Sequence, residues 1–129
     1  MKRLLMGGAV LALALAWTGA ADAVSPAGVN VTTEVIAGNP KCGGVKIEAE
    51  DIHVGTYGPI TITAYNGTTI SWTSSEGVGE VIVKGGPNAL VYHYNPPATG
   101  DTGLHAPVNP NNDKYYGISH VEFCRFAKK

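Results

Sequence analysis

Apolar and polar residues alternate over short stretches of this chain. In residues 45–50 apolar side chains occupy every second position, and charged side chains fill all three positions between them. In residues 59–64 threonine takes the polar positions instead. A period of two places one row of side chains in a core and the other in water, as in a half-buried β-strand. After residue 23 no stretch repeats apolar residues with helical spacing, so the pattern predicts strands.

Further segments of strand length are rich in valine, isoleucine, threonine and tyrosine. Glycine and proline residues separate these segments and supply turns. Together with the two alternating segments they make about seven short strands, which predicts an all-β fold, a small antiparallel β-sandwich. The further segments are residues 29–36, 68–73, 80–84, 89–94 and 119–126.

The register of one hairpin can be predicted from its apolar positions. An Asn-Gly dipeptide separates two of the strands and is a strong hairpin signal. A two-residue loop would place Ile70 opposite a threonine. A three-residue loop over residues 65–67 pairs Ile62 with Ile70 and Ile60 with Trp72, all on one face. We therefore predict the three-residue loop, with a positive φ at its glycine.

Residues 95–117 interrupt the strand pattern. They contain four prolines, three glycines and four asparagines and show no periodicity. Loops longer than about 15 residues in a compact domain are usually functional or disordered. Because aromatic residues flank and end this segment, we predict one long ordered loop that covers an edge or end of the sandwich. Whether it is a binding site or a structural cover stays open.

The first residues have the pattern of a secretory signal peptide. Lys2 and Arg3 precede an apolar run over residues 4–17, and an Ala-Asp-Ala sequence ends at Ala23. The run is shorter than the roughly 20 residues of a membrane-spanning helix. We predict a signal peptide over residues 1–23, cleaved near Ala23. The rest, residues 24–129, forms one secreted domain, extracellular or periplasmic, without a stable membrane anchor, and its residues 24–37 form a first strand or a flexible lead-in.

The cysteines and the charges narrow the class of protein further. The chain has two cysteines, Cys42 and Cys124. An even count in a small exported domain indicates a disulfide, which we expect to join the first and last strands. The formal net charge is −1, and the basic residues are scattered. A nucleic-acid partner is not expected, because binding nucleic acid needs a concentrated cationic face.

Few residues have the spacing of a catalytic or metal site. His93, His105 and Asp101 lie in or beside the long segment, but short-spaced metal-ligand signatures are absent. Ser119 and His120 are adjacent on a predicted strand, where neighbouring side chains point to opposite faces and cannot form a catalytic dyad. The sequence therefore assigns no catalytic, cofactor-binding or metal-binding residue.

Tyrosines are the most informative candidates for a binding surface. A tyrosine has an apolar body and a polar tip, which suits packing beneath a loop and stacking against a sugar alike. Because two of them are adjacent, we expect at least one of that pair to face outward. The candidate ligand surface comprises Tyr94, Tyr115, Tyr116, His93, His105 and Asp101.

Several motifs in a fixed order resemble a widespread family of bacterial secreted domains. The resemblance covers most of the chain after the signal peptide and implies a small secreted β domain, alone or beside other extracellular modules. It implies no activity, catalytic residue or cofactor. The motifs are Gly38-Asn39-Pro40-Lys41-Cys42, Trp72-Thr73, Val81-Ile82-Val83-Lys84-Gly85-Gly86, Tyr92-His93-Tyr94, Asp101-Thr102-Gly103-Leu104 and Ile118-Ser119-His120-Val121-Glu122-Phe123-Cys124.

These observations predict a secreted, non-enzymatic extracellular module. Its role would be structural or a surface interaction with an extracellular protein or glycan, without a cofactor. A carbohydrate-binding module is the first alternative, because tyrosines suit sugar stacking. A small secreted hydrolase or metal-binding enzyme is the second alternative.

Overall fold

The computed structural model describes residues 26–127. The predicted signal peptide, residues 1–23, lies outside the described residues. Within the described range the chain forms nine β-strands and one short 3₁₀ turn, and no helix there is long and apolar enough to cross a membrane. The elements are β1 (Asn30–Ala37), β2 (Val45–Glu48), the 3₁₀ turn (Ala49–Asp51), β3 (Gly55–Tyr57), β4 (Ile60–Tyr65), β5 (Thr69–Gly85), β6 (Asn88–His105), β7 (Val108–Asn109), β8 (Lys114–Tyr115) and β9 (His120–Ala127).

Strands β5 and β6 form one long antiparallel hairpin. They have 17 and 18 residues and are much longer than the sequence pattern predicts. Their ladder is interrupted between Thr73 and Val78 of β5. The first part of β5 pairs with β4, whereas its second part pairs with β9. Each strand of this hairpin therefore crosses from one sheet layer into the other.

The two halves of the hairpin organise two layers. The five-strand layer has the order β2-β9-β5-β6-β1, and the four-strand layer has the order β3-β4-β5-β6. The hairpin folds over near Thr73, at one end of the sandwich that we call the bend end. The β5–β6 turn at Gly86 and the β4–β5 turn at Gly67 both contact residues 106–118 at the opposite end, the turn end.

The hydrophobic core lies between the two layers. Trp72 of the four-strand layer packs edge-on against Phe123 and Tyr94 of the five-strand layer, with ring centroids 5.4 Å and 5.8 Å away. Edge-to-face pairs at this separation are favourable beyond the area that they bury. The predicted small antiparallel β-sandwich is therefore confirmed. The largest fully buried side chains are Trp72, Phe123, Ile60, Ile62, Ile70, Ile82, Leu104, Val78, Val81, Val83, Val91 and Val121.

The predicted register of the β4–β5 hairpin is wrong by one β-bulge. Ile62 pairs with Trp72, and Ile70 pairs with Tyr65. The bulge lies between Ile62 and Ala64 and adds one residue to β4, so that the tyrosine rather than the alanine faces the core beside the turn. The four residues predicted to share one face are nevertheless all buried, and the turn glycine has the predicted positive φ, 96°.

The predicted loop over residues 95–117 is only partly a loop. Its first half belongs to β6, which continues to His105. Pro96 and Pro97 lie where β6 has no partner on β5, which is a position where a strand tolerates residues without an N–H. The sequence pattern misses this strand because prolines and glycines interrupt its alternation. The remaining residues, 106–117, contain β7 and β8 and pack over the turn end.

The predicted disulfide between Cys42 and Cys124 is present, with Cα atoms 6.0 Å apart. Cys42 lies in the connection between β1 and β2, so the bridge fixes this connection, rather than β1 itself, to the last strand. The backbones approach closely here, because a Cβ on Gly44 would collide with the backbone carbonyl of Phe123. Strand β2 continues from this point as the partner of β9.

Reduction of the disulfide should destabilise the fold. The two cysteines are 82 residues apart. In the chain-entropy relation a bridge across a loop of this length stabilises the fold by about 4 kcal/mol, and reduction removes this stabilisation. We expect a lower melting temperature with reductant, measured by circular dichroism. The variant Cys42→Ser/Cys124→Ala is the control, because it should melt at the lower temperature with or without reductant. A wild-type melting temperature that reductant leaves unchanged contradicts this role.

Candidate functional site

The six residues predicted as a ligand surface separate into four places. They are a buried pair in the sandwich, a stacked pair at the turn end, a tyrosine packed on a turn, and a histidine on the outer face of the five-strand layer. In that order they are Tyr94 with Asp101, His105 with Tyr115, Tyr116, and His93.

The buried pair joins the two layers within a single strand. The Tyr94 hydroxyl donates a hydrogen bond to Oδ2 of Asp101 at 2.8 Å, and the backbone N–H of Thr102 donates to Oδ1 at 2.7 Å. Tyr94 lies opposite Val31 in the five-strand layer, whereas Asp101 lies opposite Trp72 in the four-strand layer. The hydrogen bond therefore ties β6 to itself across the bend.

The protonation states of this pair follow from burial. Burial raises the pKa of the Asp101 carboxyl, although the hydrogen bonds from Tyr94 and the Thr102 N–H oppose that rise. Burial also raises the pKa of Tyr94, and the nearby Asp101 charge raises it further. The tyrosine therefore remains a neutral donor. Since each group serves as the other's partner, we assign the pair to the stability of the fold.

The stacked pair consists of His105, the last residue of β6, and Tyr115 of β8. The rings of His105 and Tyr115 lie 3.7 Å apart and are nearly parallel, at 9°. His105 Nδ1 donates to the Ala106 carbonyl oxygen at 2.8 Å, because a carbonyl can only accept. The His105 backbone N–H donates to the Tyr92 hydroxyl at 2.9 Å, and burial raises the pKa of Tyr92 to about 12. These contacts fix the ring on which Tyr115 rests.

Tyr115 borders a surface depression of about 490 Å³. Tyr115 is 42% exposed, and Val108, its partner across the β7–β8 ladder, is 49% exposed. The β4–β5 turn reaches the same place, because the Ile118 N–H donates to the Gly67 carbonyl oxygen at 2.9 Å. We call this surface the hairpin platform; its lining residues are Thr68, Val108, Asp113, Lys114 and Tyr115.

Asparagine side chains shape the loop that carries two of the platform residues. The Asn111 N–H donates to Asn109 Oδ1 at 2.9 Å, and the Lys114 N–H donates to Asn112 Oδ1 at 3.0 Å. The Asp113 N–H also donates to the Asn109 carbonyl oxygen, and Asp113 has a φ of 60°. Side-chain bonds of this kind hold a turn in one conformation, so Asp113 and Lys114 are positioned before any ligand binds.

Tyr116 anchors the covering segment rather than facing solvent. A Cβ on Gly86 would lie 2.7 Å from the Tyr116 ring, and a Cβ on Gly85 would lie 2.5 Å from Cβ of Ala106. The Tyr116 N–H donates to the Pro107 carbonyl oxygen at 3.0 Å. The two glycines of the β5–β6 turn therefore allow the segment to dock closely, while the adjacent Tyr115 remains exposed.

His93 is separate from the other candidates. Its Nε2 lies 2.7 Å from Oε2 of Glu34, and this contact links β6 to the edge strand β1 on the outer face of the five-strand layer. Among the described residues, no three histidine, cysteine, aspartate or glutamate side chains group as metal ligands. The structure therefore does not bring His93, His105 and Asp101 together.

A second depression, of about 410 Å³, lies near the bend end. Three threonines line it, together with Gly100 and residues from the start of the described chain. The one tryptophan in its lining is fully buried in the core, so the depression offers no exposed aromatic ring. The lining residues are Pro26, Ala27, Thr63, Trp72, Thr73, Gly100, Asp101 and Thr102.

Two buried polar residues on β9 were not singled out as a pair by the sequence. His120 and Glu122 are 6% and 3% exposed, and His120 Nε2 and Glu122 Oε1 have no hydrogen-bond partner among the described residues. Glu122 Oε2 accepts from the Gly44 N–H at 2.9 Å. Only the alternation of β9, which places both residues on one face, could have suggested this arrangement.

The environment of His120 favours its neutral form. Burial lowers its pKa, and the charges of Lys46 on β2 and Lys84 on β5 add to this effect, while Glu48 and Glu122 oppose it. A neutral, buried imidazole that must gain a proton as the pH falls is a source of acid sensitivity.

The structure defines the class of this protein as a small, disulfide-bonded β-sandwich. No protein-family model, curated protein or solved structure matches the chain. Its function is therefore inferred from the chemistry of its own surfaces, in which the exposed ring of Tyr115 is the most distinctive feature.

Removing the Tyr94 hydroxyl should destabilise the sandwich. Tyr94→Phe leaves Oδ2 of the buried Asp101 without its donor, and an unsatisfied buried group of this kind costs about 1–3 kcal/mol. The measurement is the free energy of unfolding in urea. Tyr65→Phe is the control, because it removes the same hydroxyl from a partly buried tyrosine of β4 that packs against the core away from Asp101. Equal stabilities of the two variants argue against the role of the pair.

Stability should also fall in mild acid because of His120. The neutral His120 makes its full contribution to the free energy of unfolding above pH 6.5, the pKa of a histidine in the unfolded chain. This contribution is lost as the pH falls through 6.5 towards the lower pKa of His120 in the folded protein. We expect His120→Gln to flatten this part of the stability profile, measured by urea unfolding at several pH values. His53→Gln changes an exposed histidine and serves as the control. A profile that His120→Gln leaves unaltered contradicts the assignment.

Proposed function

We propose that this protein is exported and acts as a non-enzymatic extracellular module that binds a partner on a cell surface through the hairpin platform. The observation that carries the proposal is Tyr115, whose ring is exposed on one side and stacked on His105 on the other. An aromatic ring that is already fixed contributes contact area at a low cost in conformational entropy.

The rest of the architecture supports a binding role. Inside the sandwich, Tyr94 and Asp101 are hydrogen-bonded to each other and not available to a ligand. The residues of the hairpin platform instead lie on the β4–β5 turn and on the β7–β8 hairpin. Binding residues are concentrated on such surface segments when a rigid scaffold positions them. The sandwich therefore serves as the scaffold and the turn end as the binding surface.

Three observations support export. The disulfide is of a kind that persists in oxidising compartments. Residues 1–23 have the order of charged, apolar and small residues typical of a signal peptide. The motifs described above resemble bacterial secreted domains. The export step can be checked by N-terminal sequencing of the exported protein, for which we expect Val24 as the first residue.

Binding can be tested by sedimentation with bacterial cell envelopes. The full chain is produced with its own N-terminal segment, recovered from the exported fraction and mixed with envelopes of the producing bacterium. We expect the protein to sediment with them, and the variant Val108→Ser/Tyr115→Ala to be retained about tenfold less, as for the loss of a central aromatic anchor. Its control is Val35→Ser, which changes an exposed valine on β1.

The control should be retained like the wild type, and both variants should keep the wild-type melting temperature. If the wild-type protein stays in the supernatant, or if both variants are retained equally, the hairpin platform is not the binding surface.

A further inference from the structure

We infer that the hairpin platform binds a neutral sugar ring of a surface polysaccharide; this inference rests on the proposed function and specifies its ligand. The platform combines one exposed aromatic face with separate hydrogen-bond donors and acceptors, and a neutral sugar ring has an apolar face and hydroxyl groups around its edge.

The ring of Tyr115 has one free face. His105 covers the other face at 3.7 Å and is not among the residues that line the depression. The exposed part of the tyrosine therefore faces the depression, next to the exposed Val108. An aromatic face with a negative quadrupole attracts the weakly positive C–H groups of a sugar ring in the same way as the edges of other rings.

The charged residues beside the ring are free to meet hydroxyl groups. Neither Asp113 nor Lys114 forms a salt bridge among the described residues. A carboxylate accepts and an ammonium donates hydrogen bonds, and a hydroxyl group can do both. The Thr68 hydroxyl donates to Asn66 Oδ1 at 3.1 Å, which leaves its oxygen as a further acceptor. Adjacent charges of opposite sign disfavour an ionic ligand of either sign.

The shape of the depression fits a short segment of a glycan. Its volume of about 490 Å³ lies within the roughly 300–1,000 Å³ of small-ligand sites. The loop that carries Asp113 is held by the side chains of Asn109 and Asn112, so little ordering is needed on binding. An open site with one aromatic ring should bind a single glycan weakly, and repeated units of a polysaccharide would raise the avidity.

The test is a glycan array of neutral and acidic oligosaccharides, followed by calorimetric titration with each glycan that binds. We expect at least one neutral glycan to bind, and Tyr115→Ala to weaken its binding about tenfold or more. Tyr115→Phe should retain the affinity to within about threefold, because the ring rather than the hydroxyl makes the stacking contact. Val35→Ala is the control on a distant exposed surface.

A second pair of variants tests the polar contacts. Asp113→Asn preserves the size of the side chain and suits the positive φ of this position, and Lys114→Gln removes the positive charge. Each should weaken binding of the neutral glycan without changing the melting temperature. If Lys114→Gln abolishes binding to acidic glycans only and no neutral glycan binds, the ligand is an anion and the inference is wrong.

The outcome also separates this inference from the proposed function. If protease treatment of the envelopes abolishes Tyr115-dependent retention, while periodate, which cleaves the vicinal diols of sugar rings, leaves it unchanged, the partner is a protein. The neutral-sugar inference then fails, while the proposed binding role stands. If no glycan binds and the envelopes retain no protein, both are wrong. Loss of retention after periodate together with array binding that requires Tyr115 supports both.

Discussion

The contact of Trp72 with Phe123 and Tyr94 holds the two layers together, and most other features depend on it. Strands β5 and β6 run through both layers, so this contact fixes the fold of the long hairpin as well as the spacing of the sheets. The Tyr94–Asp101 hydrogen bond acts at the same place and closes the bend from inside. Strand β6 ends at His105, whose ring stacks on Tyr115. The packing of the core therefore also determines the position of the Tyr115 ring.

Polar chemistry in this protein is largely internal to the fold. The aspartate that accepts from Tyr94 ties the two parts of β6 together. The histidine that contacts Glu34 links β6 to β1, and the glutamate that accepts from the Gly44 N–H links β9 to the β1–β2 connection. The two buried carboxylates, Asp101 and Glu122, are stabilising where their oxygens are hydrogen-bonded and costly where they are not. The turn end differs, because its charged residues Asp113 and Lys114 have no ion-pair partner in the described range.

The sequence allowed the fold class and the disulfide to be predicted, because alternation and an even cysteine count are local or compositional signals. It did not reveal the length of β6, since Pro96 and Pro97 break the alternation where that strand leaves one layer. The bulge next to Ala64 had no signal in the hydrophobic pattern either. For the site, the adjacency of Tyr115 and Tyr116 indicated one outward ring, but the stacking on His105 depends on contacts between separate elements and could not be predicted.

The fold gives the domain a polarity. Asn30 pairs with Asn95 and Ala127 pairs with Gly77, so both ends of the described chain emerge beside the fold in the long hairpin. The platform lies at the other pole, roughly 25 Å away along strands that rise about 3.3 Å per residue. A linker or a neighbouring module attached at either terminus would consequently leave the platform pointing outward.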